Sequence, residues 1–203
     1  LVTRPEIRTF ADLRGKIVGV DTPGATTDVI TRLLLEKNRL DPSRDLKVLA
    51  TGHEGIRLEQ LKLKQIDGAM LGPQGVVVAK RAGLRVLADV ADEIELPFVG
   101  GSTTDQIMER RPDETKKVLR AGLRGIRYTL DPANRAKIVS LLSQWLELDQ
   151  ETAEYTYDIF KKVAAPDGTL TRSQMETLLN ERKRQGKVTA DIPLDKIYNF
   201  SMV

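Results

Sequence analysis

The sequence predicts an α/β lobe followed by a mainly helical segment, and three observations carry that reading. The first hundred residues alternate short apolar runs with stripes of 3.6-residue period, the signatures of strands and amphipathic helices. Beyond about residue 100 almost every periodic stretch is helical, with sharply specified helix starts. The connections in the first half are short, which implies parallel strands joined by right-handed helical crossovers, a small doubly wound lobe.

Lys16–Val20 (KIVGV) reads as the first clear strand, ended by Asp21-Thr22-Pro23-Gly24. A helix is predicted from about Thr26 to Asn38, with Ile30, Leu33 and Leu34 on one face. Leu46–Ala50 alternates apolar and polar residues and reads as the next strand, followed by a helix over Glu54–Lys64 carrying Ile56, Leu58, Leu61 and Leu63. Asp67–Leu71 is a short strand of small residues. Val76–Arg81 is a short helix closed by Gly83, and Leu84–Val90 is a further strand. In the second half Thr103 and Gln106 suggest a capping box. Pro112 opens a long helix to Leu130, striped by Leu119, Leu123, Ile126 and Leu130. Asp131-Pro132 caps a helix whose face is Ile138, Leu141, Leu142 and Trp145, with Trp145 expected in the core. Asp149 opens a helix bearing Tyr155, Ile159, Phe160 and Val163. Thr171 and Gln174 form a second capping box, with Leu170 and Met175 as its hydrophobic staple.

Composition excludes several chemistries. The 203 residues contain no cysteine, so a thiolate nucleophile, a disulfide and a cysteine metal site are all excluded within this chain. A single histidine, His53, excludes a multi-histidine metal site. No metal and no cofactor is therefore expected. Thirty-two basic and 29 acidic side chains leave a net charge of +3 shared by both halves, and aromatic residues are only 4%. That pattern argues against a nucleic-acid partner.

The candidate site lies where strands of an open α/β sheet end, the edge at which such sheets bind ligands. Gly24, Ala25, Thr26 and Thr27 join the first strand to its helix. A glycine lets the backbone approach a ligand, and first-turn N–H groups with threonine hydroxyls can grip an anionic or carbonyl oxygen. The alternative is that Thr26 or Thr27 simply caps the helix. Asp28 in the same turn would repel a highly charged anion, which favours a sulfonate, carboxylate or neutral heterocycle over a phosphate. Gly52 and His53 end the second strand and Gln74 follows the third, each either a ligand contact or a helix-start and turn residue.

Asp167-Gly168-Thr169 has the look of a calcium loop, but Val163 and Ala165 fall where carboxylates are required. The basic cluster Arg182, Lys183, Arg184 and Lys187 falls at a helix C-terminus, where dipole and solvation account for it.

TRPEIRTFADLRGKIVGVDTPGATTD resembles the middle of solute-binding proteins of the nitrate, sulfonate and taurine type, the thiamine-precursor synthase-like superfamily. LEQLKLKQIDGAMLGPQ resembles their helix–strand segment, and KRAGLRVLADVADEIELPFVGG with the helices after it resembles the crossing back to the first lobe. The resemblance implies an α/β fold of the second periplasmic-binding-protein type: one complete doubly wound lobe plus the helical C-terminal part of the other. In this scheme residues 1–12 cross a hinge from an incomplete first lobe, 13–95 form the ligand-binding second lobe, and 96–203 return through the hinge to the first. Arg4–Phe10 and Leu96–Gly101 correspond to the two crossings.

The resemblance further implies a non-catalytic protein that takes a small organic or anionic solute to the membrane permease of an ABC importer. It implies a periplasmic or extracytoplasmic location and ligand contacts at Gly24, Ala25, Thr26, Thr27, Gly52, His53 and Gln74. The N-terminal portion of such proteins does not precede Leu1, so a dimer or domain swap is an expectation too. The alternatives are an enzyme of the thiamine-pyrimidine branch, whose cysteine-rich motif this chain lacks, and the ligand-sensing domain of a regulator.

Overall fold

A computed structural model describes residues 1–96 and 100–201, so Pro97, Phe98 and Val99 of the expected return crossing lie outside the described residues. The chain divides into two compact units, residues 1–94 with 142–162, and residues 95–141 with 163–203.

The first unit is built on five strands: β1 Val2–Thr3, β2 Ile17–Val20, β3 Lys47–Ala50, β4 Gly68–Ala69 and β5 Arg85–Val86. Their order across the sheet is β3-β2-β4-β1-β5. β2 runs parallel to β3 (Val18 opposite Val48) and to β4 (Val18 opposite Gly68), as the short crossovers require. β1 was not anticipated. It inserts antiparallel between β4 and β5, with Val2 opposite both Ala69 and Val86. Two residues carry no period-2 signal, and these are held by pairing on both sides; Val2 and Thr3 are both fully buried. The predicted strand Leu84–Val90 shrinks to Arg85–Val86, because Asp89 turns the chain by accepting from the Ala91 N–H and opens a short helix, Val90–Glu93.

Three helices position the strand ends: α1 Thr26–Lys37, α2 Glu54–Lys62 and α3 Pro73–Arg81, with α4 being Val90–Glu93. The crossover from β2 to β3 runs one way along the sheet and that from β3 to β4 runs the other. Equal handedness then places α1 and α2 on opposite faces. Their contacts agree, since α1 meets β2 and α4 while α2 meets β4 and α3. One core cluster joins Val2, Leu58, Leu61, Ile66, Ala69, Leu71, Val76 and Ala79. On α1, Ile30 and Leu34 of the predicted stripe are buried, Leu33 is half-buried and Leu35, outside the stripe, is buried in its place, whereas Ile56 and Leu63 of the α2 stripe are exposed.

A helix distant in sequence, Gln150–Val163 (α8 once α5 Asp105–Arg110, α6 Pro112–Leu130 and α7 Arg135–Leu146 are numbered), also belongs to this unit through residue 162. Tyr155 packs on the core cluster, and Lys80 lies 4.8 Å above its ring. Asp149 caps α8 by accepting from the Thr152 N–H, as its position suggests. The same carboxylate takes Arg81 in a bidentate pair at 2.7 and 3.0 Å, and Arg81 also pairs with Glu151. Near the other end of α8, Lys162 bridges Asp89 and Asp92.

In the second unit, α6 presents Leu119, Leu123, Ile126 and Leu130 as one half-buried stripe. The cap of α5 is Thr104, not Thr103: its hydroxyl accepts from the Ile107 N–H at 3.3 Å. The Thr171–Gln174 capping box opens α9 (Arg172–Arg184) as expected. In the turn before it Asp167 accepts from both the N–H and hydroxyl of Thr169, a local turn and not an ion cage. Trp145 is a clear correction. It is 80% exposed, with Leu146 beside it 50% exposed, so this end of the apolar stripe of α7 is not core.

Candidate functional site

β2 is the first strand of the doubly wound part, and its neighbours β3 and β4 are reached by crossovers in opposite directions. The crevice outside the carboxyl ends of β2 and β4 is therefore a topological switch point, the position at which open α/β sheets bind ligands. The loops that carry Gly24–Thr27, Gly52–His53 and Gln74 all leave this one edge, at the ends of β2, β3 and β4.

The β2 loop leaves the start of α1 open. Gly24 holds φ at +77°, a conformation that side chains disfavour. The N-cap residue is Ala25, with no side-chain cap, so neither Thr26 nor Thr27 caps the helix. Thr27 instead turns its hydroxyl back to accept from the Asp21 N–H at 2.9 Å. Asp28 is buried, accepts from the Gly24 N–H at 2.8 Å and pairs with Arg32 Nε at 2.7 Å. The carboxylate that would have repelled an anion is thus buried and neutralised. Thr26 is exposed at the mouth of this turn.

The β4 loop has the opposite character. Glu54, from the first turn of α2, reaches the N-terminus of α3 and accepts from the Gly72 N–H at 2.5 Å and the Gly75 N–H at 3.0 Å. This helix start is already filled by a carboxylate of the chain itself. A concave pocket of about 260 Å³ lies there, lined by Glu54, Gly72, Pro73, Gln74 and Thr156, so Gln74 is exposed beside an acid.

The β3 loop lies next to both. Gly52 holds φ at +81°, and its N–H donates to the Asp21 carbonyl at 3.3 Å. His53 is the N-cap of α2 and is exposed, with its ring against Gly55. Behind these loops lies a residue that sequence reasoning missed. Arg57 is 3% exposed, donating from Nε to the Met70 carbonyl at 3.0 Å and from Nη1 to the Gly52 carbonyl. Burial lowers its pKa, with the Glu54 and Asp21 carboxylates acting the other way. No side-chain pattern in the sequence singles it out; the nearby Gly19 is instead required by Ile66 Cδ1 and Thr51 Oγ1, which a Cβ there would meet at 2.8 and 3.1 Å.

The NMT1-like family model matches residues 7–143, more than half of the chain. The chain belongs to the NMT1-like family. Among solved structures, it is similar to one from Methylobacillus flagellatus KT described as the periplasmic sulfonate-binding protein SsuA of a sulfonate ABC transporter. That match has a TM-score of 0.78 at 13% identity, over 99% of this chain and 62% of that one. The periplasmic aliphatic sulphonate binding protein SsuA of Escherichia coli matches with a TM-score of 0.73 at 17% identity, over 96% of this chain and 63% of its own. The desulfurization enzyme DszB matches with a TM-score of 0.60 at 12% identity, over 99% and 73%. This family member therefore has the α/β fold of periplasmic binding proteins, and it spans about 62–63% of the length of the SsuA structures.

Proposed function

We propose that this chain binds a small organic or anionic solute, of the sulfonate, nitrate, pyrimidine or aromatic carboxylate class, without chemical change. The bound group would sit on the open start of α1, touching Gly24, Ala25, Thr26 and Thr27, with Gly52, His53 and Gln74 completing the edge. The observation that carries this reading is the contrast between two helix starts at one switch point. α1 has no side-chain cap and its acid is neutralised by Arg32, while α3 is filled by Glu54. Helix N-termini attract anions through unpaired N–H groups and the macrodipole. The SsuA likeness supports a sulfonate as the first ligand to try. It also supports handover to the permease of an ABC importer in an extracytoplasmic compartment, with residues 13–95 as one wall of the ligand cleft.

The test is thermal unfolding of the longest native form against taurine, an alkanesulfonate, nitrate, bicarbonate, a pyrimidine and benzoate. A ligand at 100 times its Kd adds about 2.7 kcal/mol. At roughly 2–4 °C per kcal/mol for a chain of this size, one compound should raise Tm by about 5–11 °C. No shift with any of them overturns the reading. The likeness to DszB favours one second reading, a desulfurization catalyst. Release of inorganic sulfur from an aryl sulfinate in a single-turnover assay would establish it, and unchanged aryl sulfinate would exclude it.

A further inference from the structure

We infer that the first turn of α2 is the positioning element of the candidate site, with Glu54 and Arg57 together holding the loops after β2, β3 and β4 in one register. The inference rests on the proposed binding site for what the register serves, and on geometry for the bracket itself.

The linkage is continuous. Asp21, ending β2, gives its carbonyl to the Gly52 N–H of the β3 loop. Gly52 gives its own carbonyl to Arg57, whose Nε meets the Met70 carbonyl at the end of β4. Glu54, one helical turn before Arg57, then takes the Gly72 and Gly75 N–H groups at the start of α3. Residues three apart share a helix face, so two side chains of one turn bond the β3 and β4 loops, and the Gly52 backbone N–H carries the link on to Asp21.

The surroundings are shaped around this bracket. A Cβ at Gly75 would lie 2.5 Å from Glu54 Oε1, and one at Gly72 would lie 3.0 Å from Oε2. At Gly75 a side chain would displace the carboxylate, and at Gly72 it would press on it. A guanidinium is needed because its planar fork serves two carbonyls from different loops, which a single ammonium cannot hold in fixed geometry. The Arg57 charge is matched by Glu54 and Asp21, so the bracket is a neutralised unit and not an anion receptor.

The test uses Arg57→Lys, Arg57→Met and Glu54→Gln, measured first without ligand by amide hydrogen exchange. Each variant should speed exchange at Gly52, Gly72 and Gly75 at least tenfold, while the amides of Lys47 and Asp67, which donate to the Lys16 and Ile17 carbonyls at 2.8 Å, keep wild-type protection. Unchanged exchange at the three glycines, or uniform acceleration through the sheet, overturns the bracket. The second measurement is the affinity of each variant for the compound giving the largest thermal shift with wild type. Arg57→Lys should lose affinity within twofold of the loss in Arg57→Met, at least tenfold in both. Rescue by lysine would mean that charge and not the fork acts, and would overturn the positioning role. If no compound binds wild type, the proposed function fails, and the exchange measurement still decides the bracket.

Discussion

The tightest packing at the candidate site gives the sharpest prediction, the opposite effects of one substitution at two glycines. Gly75→Ala replaces a buried glycine in the first turn of α3, and Gly122→Ala replaces an exposed one in the middle of α6. Alanine is favoured over glycine in a helix by about 1 kcal/mol. At Gly122 a new Cβ meets nothing within 4 Å, so Gly122→Ala should stabilise by up to about 1 kcal/mol. At Gly75 the Cβ would stand 2.5 Å from Glu54 Oε1, 2.9 Å from its Cδ and 3.2 Å from Leu71 Cβ. The carboxylate must leave, which forfeits at least one hydrogen bond to a charged acceptor at about 1.5–3 kcal/mol. The squeeze against Leu71 adds strain of about 1 kcal/mol. Set against the same propensity gain, the net is a destabilisation of about 1.5–3 kcal/mol. Urea unfolding followed by circular dichroism measures both, with the midpoint moving at constant slope. A Gly75→Ala protein as stable as wild type would refute the reasoning, because Glu54 could then leave the α3 start at no cost.

Two further predictions follow from charge and exposure. Arg81 and the Thr152 N–H hold the Asp149 carboxyl below its ordinary value of 3.8. A depressed carboxyl contributes stability that is present above about pH 4 and lost as pH falls. Asp149→Asn should therefore flatten the fall of Tm between pH 5 and pH 2.5, and an unchanged slope would show that the pair contributes nothing. Trp145, at 80% exposure, should be replaceable by alanine within about 0.5 kcal/mol. A loss of more than 2 kcal/mol in the same unfolding assay would mean that it is buried after all.

The strongly periodic parts of the fold were legible, and the reason is local. β2, α1, β3 and α2 each carry their own stripe or alternation, and each starts within one residue of the place its pattern indicates. β1 was not legible because two residues have no period, and their burial comes entirely from β4 and β5. Trp145 misled because an apolar face shows what could be buried, not whether a partner covers it. At the candidate site the sheet edge was legible, since strand ends with glycine and threonine can be read directly. What each threonine does was not. Thr27 bonds backward to Asp21, so the α1 start stays uncapped although its sequence offers two good caps.

Glu54 and Arg57 show why the remainder was hidden. On a helical wheel they are two charges in a first turn, ordinarily a solvated face. Their partners are the N–H and carbonyl groups of Gly52, Met70, Gly72 and Gly75, which no side-chain pattern reveals. The consequence is electrostatic. Each helix start facing the switch point carries a partial positive charge, and a small anion has no intrinsic reason to choose between α1 and α3. Glu54 removes the choice by occupying α3, whereas Asp28, paired with Arg32, takes only the Gly24 N–H ahead of the α1 N-cap. On the proposed reading, this pair of carboxylates fixes which end of a ligand is held by the backbone and which faces Gln74. That orientation rests on two side chains, neither of which needs to touch the anion.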